Sequence, residues 1–444
     1  MSVHVVEKSS PVGWFDALLR RTPLRPGELS VPPKGLKPVV GDRGLPFLGL
    51  GLHTVRYGPE FLLELMRRHG PVSWWQAFGR KIVAVSGPEA VQAVLANRDK
   101  AFASGWPAVI GPWFDGGLLA MDGVEHLADR RVLRAAYTPE ALDGYLRAMS
   151  EDTAGCLDKW PAGRPVRVVD AVRALSGEIT TRAFLGVPYD PSGREVMTAV
   201  EKCIRAETVL TRLPLPGTAW HSAHRARRLL LDYLRAALPA ARDRDAEDFL
   251  SVLSRVEGIS ATQAAQHMLF TLIASHDTTT AATIAAVYFL GAHPEWQDRA
   301  RTDPDAVELV VKESIRLVSP SPILMRVAVR ETEVLGHHIP AGQLVSVCTA
   351  VNQLLPELWP DPQRFDPSRF ARGEDGVHRL AWAPFGSGAH KCIGLHLGML
   401  KVTATLSELL RRFTWSYPPD YRAVWRFSSL PAPADGLPTT FTAR

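Results

Sequence analysis

The sequence predicts a mainly helical protein with a small β portion and no marked domain boundary. Three observations predict it. Between Gly123 and Leu317 apolar residues recur at helical spacing almost throughout, with breaks at Pro139, Pro161, Pro188, Pro214 and Pro216. Strand-type runs are short and scattered. No repeat, low-complexity tract or linker is seen, although 444 residues would allow about three domains by length.

In chain order, residues 1–40 read as an irregular lead-in that ends in Val31-Pro32-Pro33-Lys34-Gly35, and residues 41–444 as one domain. An amphipathic helix is expected over Pro59–His69, strands around Val72–Trp75 and Ile82–Val85, and a helix over Pro88–Asn97. Ala101–Leu118 is rich in Gly, Pro and large aromatics (Phe102, Trp106, Trp113, Phe114), which suits a binding loop. A long helix should start behind the N-cap Ser260 and stop at Pro294. A shorter one, Asp305–Leu317, ends at Ser319-Pro320-Ser321-Pro322. Short strands follow at Met325–Val329, Glu333–His337 and Leu344–Cys348. A loop-rich stretch then runs to Gly394, a last helix to Phe413, and weak strands lie near Val424–Ser428 and Leu437–Thr442.

Composition removes several classes. With 46% hydrophobic and 22% charged residues, the chain is neither disordered nor collagenous nor a coiled coil. Its four cysteines, Cys156, Cys203, Cys348 and Cys392, lie far apart, which argues against a disulfide scaffold or a C-x-x-C zinc site and fits a reducing cytosol. Glu7, Lys8, Asp16, Arg20 and Arg21 interrupt the N-terminal segment, so neither a signal peptide nor a membrane anchor is expected. The nearest approach to a spanning segment, Met268–Gly291, holds His276, Asp277 and Thr278 at its centre and reads as a helix buried in protein. A net charge of +5 is too mild to point to nucleic acid and permits an acidic protein partner.

The densest chemical signal is Phe385-Gly386-Ser387-Gly388-Ala389-His390-Lys391-Cys392-Ile393-Gly394. Its glycines permit a tight turn and close backbone approach to a flat ligand. A cysteine at the start of an apolar helix meets the positive dipole end, which favours the thiolate that a metal needs. A buried cysteine in a glycine-rich turn is the plain alternative. The full pattern resembles the heme-binding loop of the cytochrome P-450 family, the heme-thiolate monooxygenases, with Phe385, Gly386, Gly388, His390, Cys392 and Gly394 at its fixed positions. The resemblance extends from Gly44 to Thr442. It implies that family's single-domain fold, with heme b (iron protoporphyrin IX) between the long helix and the cysteine loop and Cys392 as the iron ligand.

Other segments resemble further parts of the family. Glu313-x-x-Arg316 shares its spacing with Glu64…Arg67 and Glu408…Arg411, so position singles it out: it precedes a Ser-Pro turn and a strand. Trp359-Pro360-Asp361-Pro362-Gln363-Arg364-Phe365 resembles the family's meander, and Arg364 is expected to join Glu313 and Arg316 in holding the cysteine loop. Ala274-Ser275-His276-Asp277-Thr278-Thr279 resembles the oxygen-activation motif, in which Asp277 would relay protons and Thr278 would hydrogen-bond oxygen. Such polar groups inside an apolar helix are costly unless paired; threonines bonding back to the preceding turn are the alternative. Ser275 stands where the family usually has Gly. His126-x-x-x-Arg130 (a spacing repeated at His221…Arg225 and His224…Arg228), Arg326 and His390 are the implied partners of the heme propionates, since buried carboxylates require cations.

By resemblance, the substrate would contact Trp106, Trp113, Phe270, Ala274, Ile323, Leu324 and Leu430, near the Leu210–Trp220 connection and Ser429. These apolar positions favour a lipophilic molecule such as a terpenoid, steroid, fatty acid or macrolide, and would equally serve as core. The resemblance implies a cytoplasmic, monomeric monooxygenase of secondary metabolism that uses O2 to hydroxylate or epoxidise. Its electrons would come from a ferredoxin or flavodoxin with an NAD(P)H reductase, docking on Arg130, Arg131, Arg134 and Lys391. A heme-thiolate peroxygenase or desaturase ranks lower because Asp277 and Thr278 are both present. A non-catalytic heme sensor for a lipophilic ligand or a gas is the alternative of another class.

Overall fold

The structure is a computed structural model that describes residues 16–444 except 18, 20, 208, 210, 211 and 245. The expectations for residues 1–15 and for Leu210 lie outside the described residues. The chain forms two compact units. One holds the chain up to Gly105 with Arg316–Lys391 and Trp425–Ser428; the other holds Trp106–Ile315, Cys392–Val424 and Ser429–Arg444.

The first unit carries a seven-stranded sheet. Strands β1 (Pro26–Glu28), β2 (Val40–Asp42), β3 (Val72–Ala77), β4 (Arg80–Val85), β5 (Phe102–Ser104), β6 (Leu324–Ala328) and β7 (Leu344–Val347) lie in the order β1-β2-β3-β4-β7-β6-β5. The β3–β4 turn uses positive φ at Phe78 (49°) and Gly79 (77°), which matches the twist of a tight hairpin. Side chains alternate across β3. Trp74 joins Val83, Val345 and the helix α2 (Pro88–Ala96), while Trp75 joins Leu62 and Leu65 of helix α1 (Pro59–His69). Both faces of the hairpin are thereby covered. β1 and the first residue of β2 fall in the stretch read as irregular; pairing with β3 and the 2.9 Å bond from Trp74 Nε1 to Gly27 O recruit it. The strand expected over Glu333–His337 is instead a hairpin, because Leu335 and Gly336 take φ of 49° and 77°.

The second unit is helical: α3 (Gly123–Leu133), α4 (Pro139–Leu157), α5 (Val168–Leu185), α6 (Pro191–Ala206), α7 (Ala219–Asp243) and the long α8 (Ala261–Ala292). After a short helix at Pro294–Thr302 comes α9 (Pro304–Leu317), whose last two residues belong to the first unit, and later α10 (Leu395–Arg412). The capping box expected at Ser260 is present: Ser260 Oγ accepts from Gln263 N, and Gln263 Oε1 accepts from Ser260 N, each at 3.2 Å. α8 packs on α5, α7 and α10. Its threonines donate to carbonyls four residues back: Thr278 to Ala274 O (2.8 Å), Thr279 to Ser275 O (2.6 Å), Thr280 to His276 O (2.7 Å) and Thr283 to Thr279 O (2.8 Å). That is how an apolar helix accommodates four hydroxyls. Among the described residues Gly388–Arg412, rather than Met268–Gly291, has the length and apolarity to span a bilayer; its helical part packs against α4 and α8.

Candidate active site

Gly386 and Gly388 take φ of 69° and 73°. A Cβ at Gly388 would lie 2.4 Å from Leu95 O, so the backbone passes α2 at a distance only glycine allows. Phe385 stacks edge-on with Trp382 at 5.8 Å, which anchors the start of the loop. A 3-10 turn, Gly388–His390, follows. Cys392 comes next, ahead of the N-cap Gly394 and the first helical residue Leu395. Of the four cysteines Cys392 alone is exposed; burial pushes the thiols of Cys203 and Cys348 up to about 12 and about 11. Cys392 also acts on α3: burial and Arg134 pull the Arg130 guanidinium below its usual range, and Cys392 pulls it back up.

His126 is buried on α3, Arg130 half-buried one turn later, and Arg131 and Arg134 are exposed. His126, Arg130 and Cys392 thus share the helical unit. Arg326, His390, Phe385 and Gly386 belong to the sheet-bearing unit, where Arg326 is buried on β6 with Nη1 donating to Met325 O at 2.9 Å.

On α8, Asp277 Oδ1 lies 4.0 Å from Nη2 of Arg173, an arginine more than a third exposed. Burial pushes the Asp277 carboxyl up, and Arg173 opposes that. Glu207, just past α6, is pushed up to about 8 by burial and by the Asp277 charge, against a hydrogen bond with Ser429. Burial and the neighbouring Asp277 thus favour the protonated form of Glu207. Nothing in the sequence linked these two residues, which are seventy positions apart. Ser275 Oγ is buried and has no protein partner among the described residues. A second unforeseen pair is Asp129 and His267, both buried, with Nε2 to Oδ2 at 2.9 Å, which ties α3 to α8.

The expected substrate contacts separate into two kinds. Phe270 meets Phe114 edge-on at 6.0 Å, and Trp106, Ala274 and Leu430 are half-buried in the same unit. Trp113 is fully buried against Trp220 (4.8 Å) and His224 (5.0 Å), the core setting that the sequence reading held open for these apolar positions. Two edge-on rings enclose it on a stretch that folds into helical turns, Trp106–Ile110 and Pro112–Phe114, rather than an open loop. In the sheet-bearing unit, Ile323 and Leu324 pack on its two apolar clusters.

Glu313 and Arg316 are both buried. Arg316 Nη1 donates to Gln353 O (2.6 Å) and Pro362 O (2.7 Å), and Nη2 to Arg364 O (3.3 Å). Arg364 corrects the sequence reading: its side chain is exposed, and only its carbonyl takes part. The sequestered arginine is Arg369, which donates to Pro360 O (3.1 Å), Arg364 O (3.2 Å) and Glu374 (2.8 Å). Asp-Pro-x-Arg-Phe occurs twice in succession, at Asp361–Phe365 and Asp366–Phe370. Burial requires the guanidinium to be saturated, and only the second copy meets that condition.

These residues fit a heme. Among the described residues no three His, Cys, Asp or Glu gather as ligands for a bare metal ion. A porphyrin brings its own nitrogens and asks the chain for an axial ligand, which an exposed cysteine beside a cationic helix supplies. The family model described as Cytochrome P450 matches residues 39–424. A "Putative cytochrome P450 136" of Mycobacterium tuberculosis is 37% identical over 96% of this chain and 93% of its own length. The cyclooctat-9-en-7-ol 5-monooxygenase of Streptomyces melanosporofaciens is 28% identical over 88% of this chain and 93% of its own. Among solved structures, retinoic acid-bound cyanobacterial CYP120A1 superposes with a TM-score of 0.80 at 26% identity, covering 90% of this chain and 98% of that one. The chain belongs to the cytochrome P450 family and is a monooxygenase whose cofactor is heme b.

Proposed function

We propose that residues 41–444 act as one monooxygenase domain that hydroxylates or epoxidises a lipophilic small molecule, foremost a terpenoid, in the cytoplasm and in secondary metabolism. The observation that carries this reading is the α8 site: Asp277 paired with a part-exposed arginine, next to Thr278, in the unit that presents Cys392. When bound, the heme supplies dioxygen activation through a thiolate-ligated iron. Cys392 would hold it, with His126, Arg130, Arg326 and His390 neutralising its carboxylates and Phe385, Gly386 and Gly394 shaping the loop. Arg173 links Asp277 to solvent, so Asp277 takes up a proton and passes it inward, with the protonated Glu207 as reserve. Thr278 donates its own proton to Ala274 O, which leaves its Oγ lone pairs to accept an O–H inside the pocket. Trp106, Phe270, Ala274, Ile323, Leu324 and Leu430 offer apolar surface without a matching charge. Two relatives support the terpenoid class: one is named for cyclooctat-9-en-7-ol and one structure holds retinoic acid. Exposed Arg131, Arg134 and Lys391 would meet an acidic ferredoxin or flavodoxin served by an NAD(P)H reductase.

The test is a spectral-shift screen of the heme-loaded protein against terpenoids, steroids, fatty acids and macrolides. NADPH consumption with a surrogate ferredoxin and reductase follows for each hit. A terpenoid that shifts the heme spectrum and is oxygenated supports the reading. Binding without turnover of any compound overturns it in favour of a sensor.

A further inference from the structure

Lys401 lies on the inner face of α10, only 4% exposed, and none of its hydrogen-bond acceptors is a carboxylate. Its Nζ donates to Ser176 Oγ at 3.0 Å and Thr180 Oγ1 at 3.1 Å, both on α5. Ser176 Oγ in turn lies 3.2 Å from His276 Nδ1 and 3.3 Å from His276 O, on the α8 turn that carries Asp277 and Thr278. Beside the amine is a cavity of about 10 Å³ whose polar lining is Ser176, Thr279, Thr280, Thr283, Lys401 and Thr405. That volume is the size of one water, which needs two to four polar partners.

The hydrogen bonds define the occupant. Thr279, Thr280, Thr283 and Thr405 all donate to backbone carbonyls, so they turn only lone pairs toward the cavity. An anion is disfavoured there, and a water can donate to them. An uncharged amine has two N–H bonds, matched by Ser176 and Thr180, and one lone pair that can accept the other water proton. We propose that Lys401 is a positioning residue for the oxygenation reaction: through Ser176, Thr180 and one trapped water, its amine holds the α8 turns that carry Asp277 and Thr278.

Burial supports the uncharged form, pushing Lys401 down to about 7. His276 is pushed down to about 3 by burial, by Lys401 and by Arg173, and adds no charge. Of the other titratable groups on the packed elements, Asp277 pairs with Arg173, Glu178 with Lys159, Asp158 with Arg412 and Arg301 with Asp298, and Tyr145 donates to Ala136 O. Below about pH 7 the ammonium acquires a third N–H where the lone pair had been. The water must then reverse, and the hold on α8 changes.

The inference rests on the roles proposed above for Asp277 and Thr278, so its test has two arms. In the first, the heme-loaded wild type, Lys401→Met and Lys401→Gln are unfolded in urea between pH 7.5 and 9.5. An unfolded lysine titrates near 10.4, so unfolding the wild type should take up about one more proton than unfolding either variant. Its unfolding constant should fall about tenfold per pH unit relative to theirs. Parallel curves would mean a charged lysine in the fold and overturn the proposal. In the second arm, a surrogate ferredoxin and reductase drive the proteins without added substrate, and peroxide per NADPH is read from pH 6 to 8.5. The wild type should release more peroxide as pH falls through about 7. Lys401→Met should release more throughout, without the inflection. Lys401→Gln, which keeps a donor and an acceptor but cannot titrate, should restore low release with a flat profile. An inflection retained in both variants, or Lys401→Gln as leaky as Lys401→Met, would overturn the positioning role. If Lys401→Met does not fold, the comparison of Lys401→Gln with wild type decides both arms. Should Thr278→Ala couple like wild type, the preceding reading fails while the first arm still stands.

Discussion

The two Asp-Pro-x-Arg-Phe copies give a matched pair of perturbations, Arg369→Ala and Arg364→Ala. Arg369 is 2% exposed and spreads its guanidinium over Pro360 O, Arg364 O and Glu374, 5.8 Å from the Trp359 ring. Removing one partner of a buried, hydrogen-bonded charge pair costs about 3–5 kcal/mol. Glu374 retains a fifth of its exposure, so water recovers part of its charge and the low end, about 3 kcal/mol, applies. That is about 150-fold in the folding equilibrium. Arg364→Ala removes an exposed side chain and leaves its carbonyl in place, so its effect should stay within about 0.5 kcal/mol. Arg369→Lys keeps the charge but loses the planar fork, and should fall between them. Guanidinium unfolding followed by tryptophan fluorescence gives the three midpoints, and the Soret band reports heme retention in each. Equal costs for Arg364→Ala and Arg369→Ala would refute the claim that burial, not motif, selects the arginine.

Cys392→Ala should abolish the thiolate signature of the reduced CO complex, and an unchanged Soret band would remove Cys392 as the ligand. Thr278→Ala should keep heme and divert electrons to peroxide; full product yield per NADPH in that variant would show that Ser275 or another hydroxyl serves instead. Glu207, held near 8 in the fold against about 4.3 when unfolded, binds the extra proton only in the native state between those values. Its contribution to stability is present at low pH and declines as pH rises from about 4.3 to about 8. Glu207→Gln should remove that decline in urea midpoints measured across the window, and a slope identical to wild type would contradict a protonated Glu207.

The cysteine loop was readable from the chain because its residues are consecutive and each answers a local need. Gly388 must let backbone pass at 2.4 Å from where a Cβ would sit, and Cys392 must precede a helix. The long helix was readable for the same reason, from its capping box to its proline stop. Arg364 is not the sequestered arginine, and Trp113 could not be assigned between core and pocket, because composition and motif say nothing about which ring or guanidinium is enclosed. Glu207, Lys401, Asp129 and His267 went unnoticed because each gains meaning only from a partner on another helix.

By itself, then, the sequence determined the class of the fold, its long central helix and principal strands, and the loop that offers a thiolate. These depend on periodicity, caps and glycine, which act within a few residues. Only the tertiary structure decided which of two identical arginine motifs is buried and which acid sits beside Asp277. It likewise decided that a lysine nine residues past the cysteine lies buried under α8 with hydroxyls, not carboxylates, as its hydrogen-bond acceptors. Burial and charge pairing are properties of the packed interior, where desolvation makes one neighbour decisive, and no local pattern records which neighbour that will be.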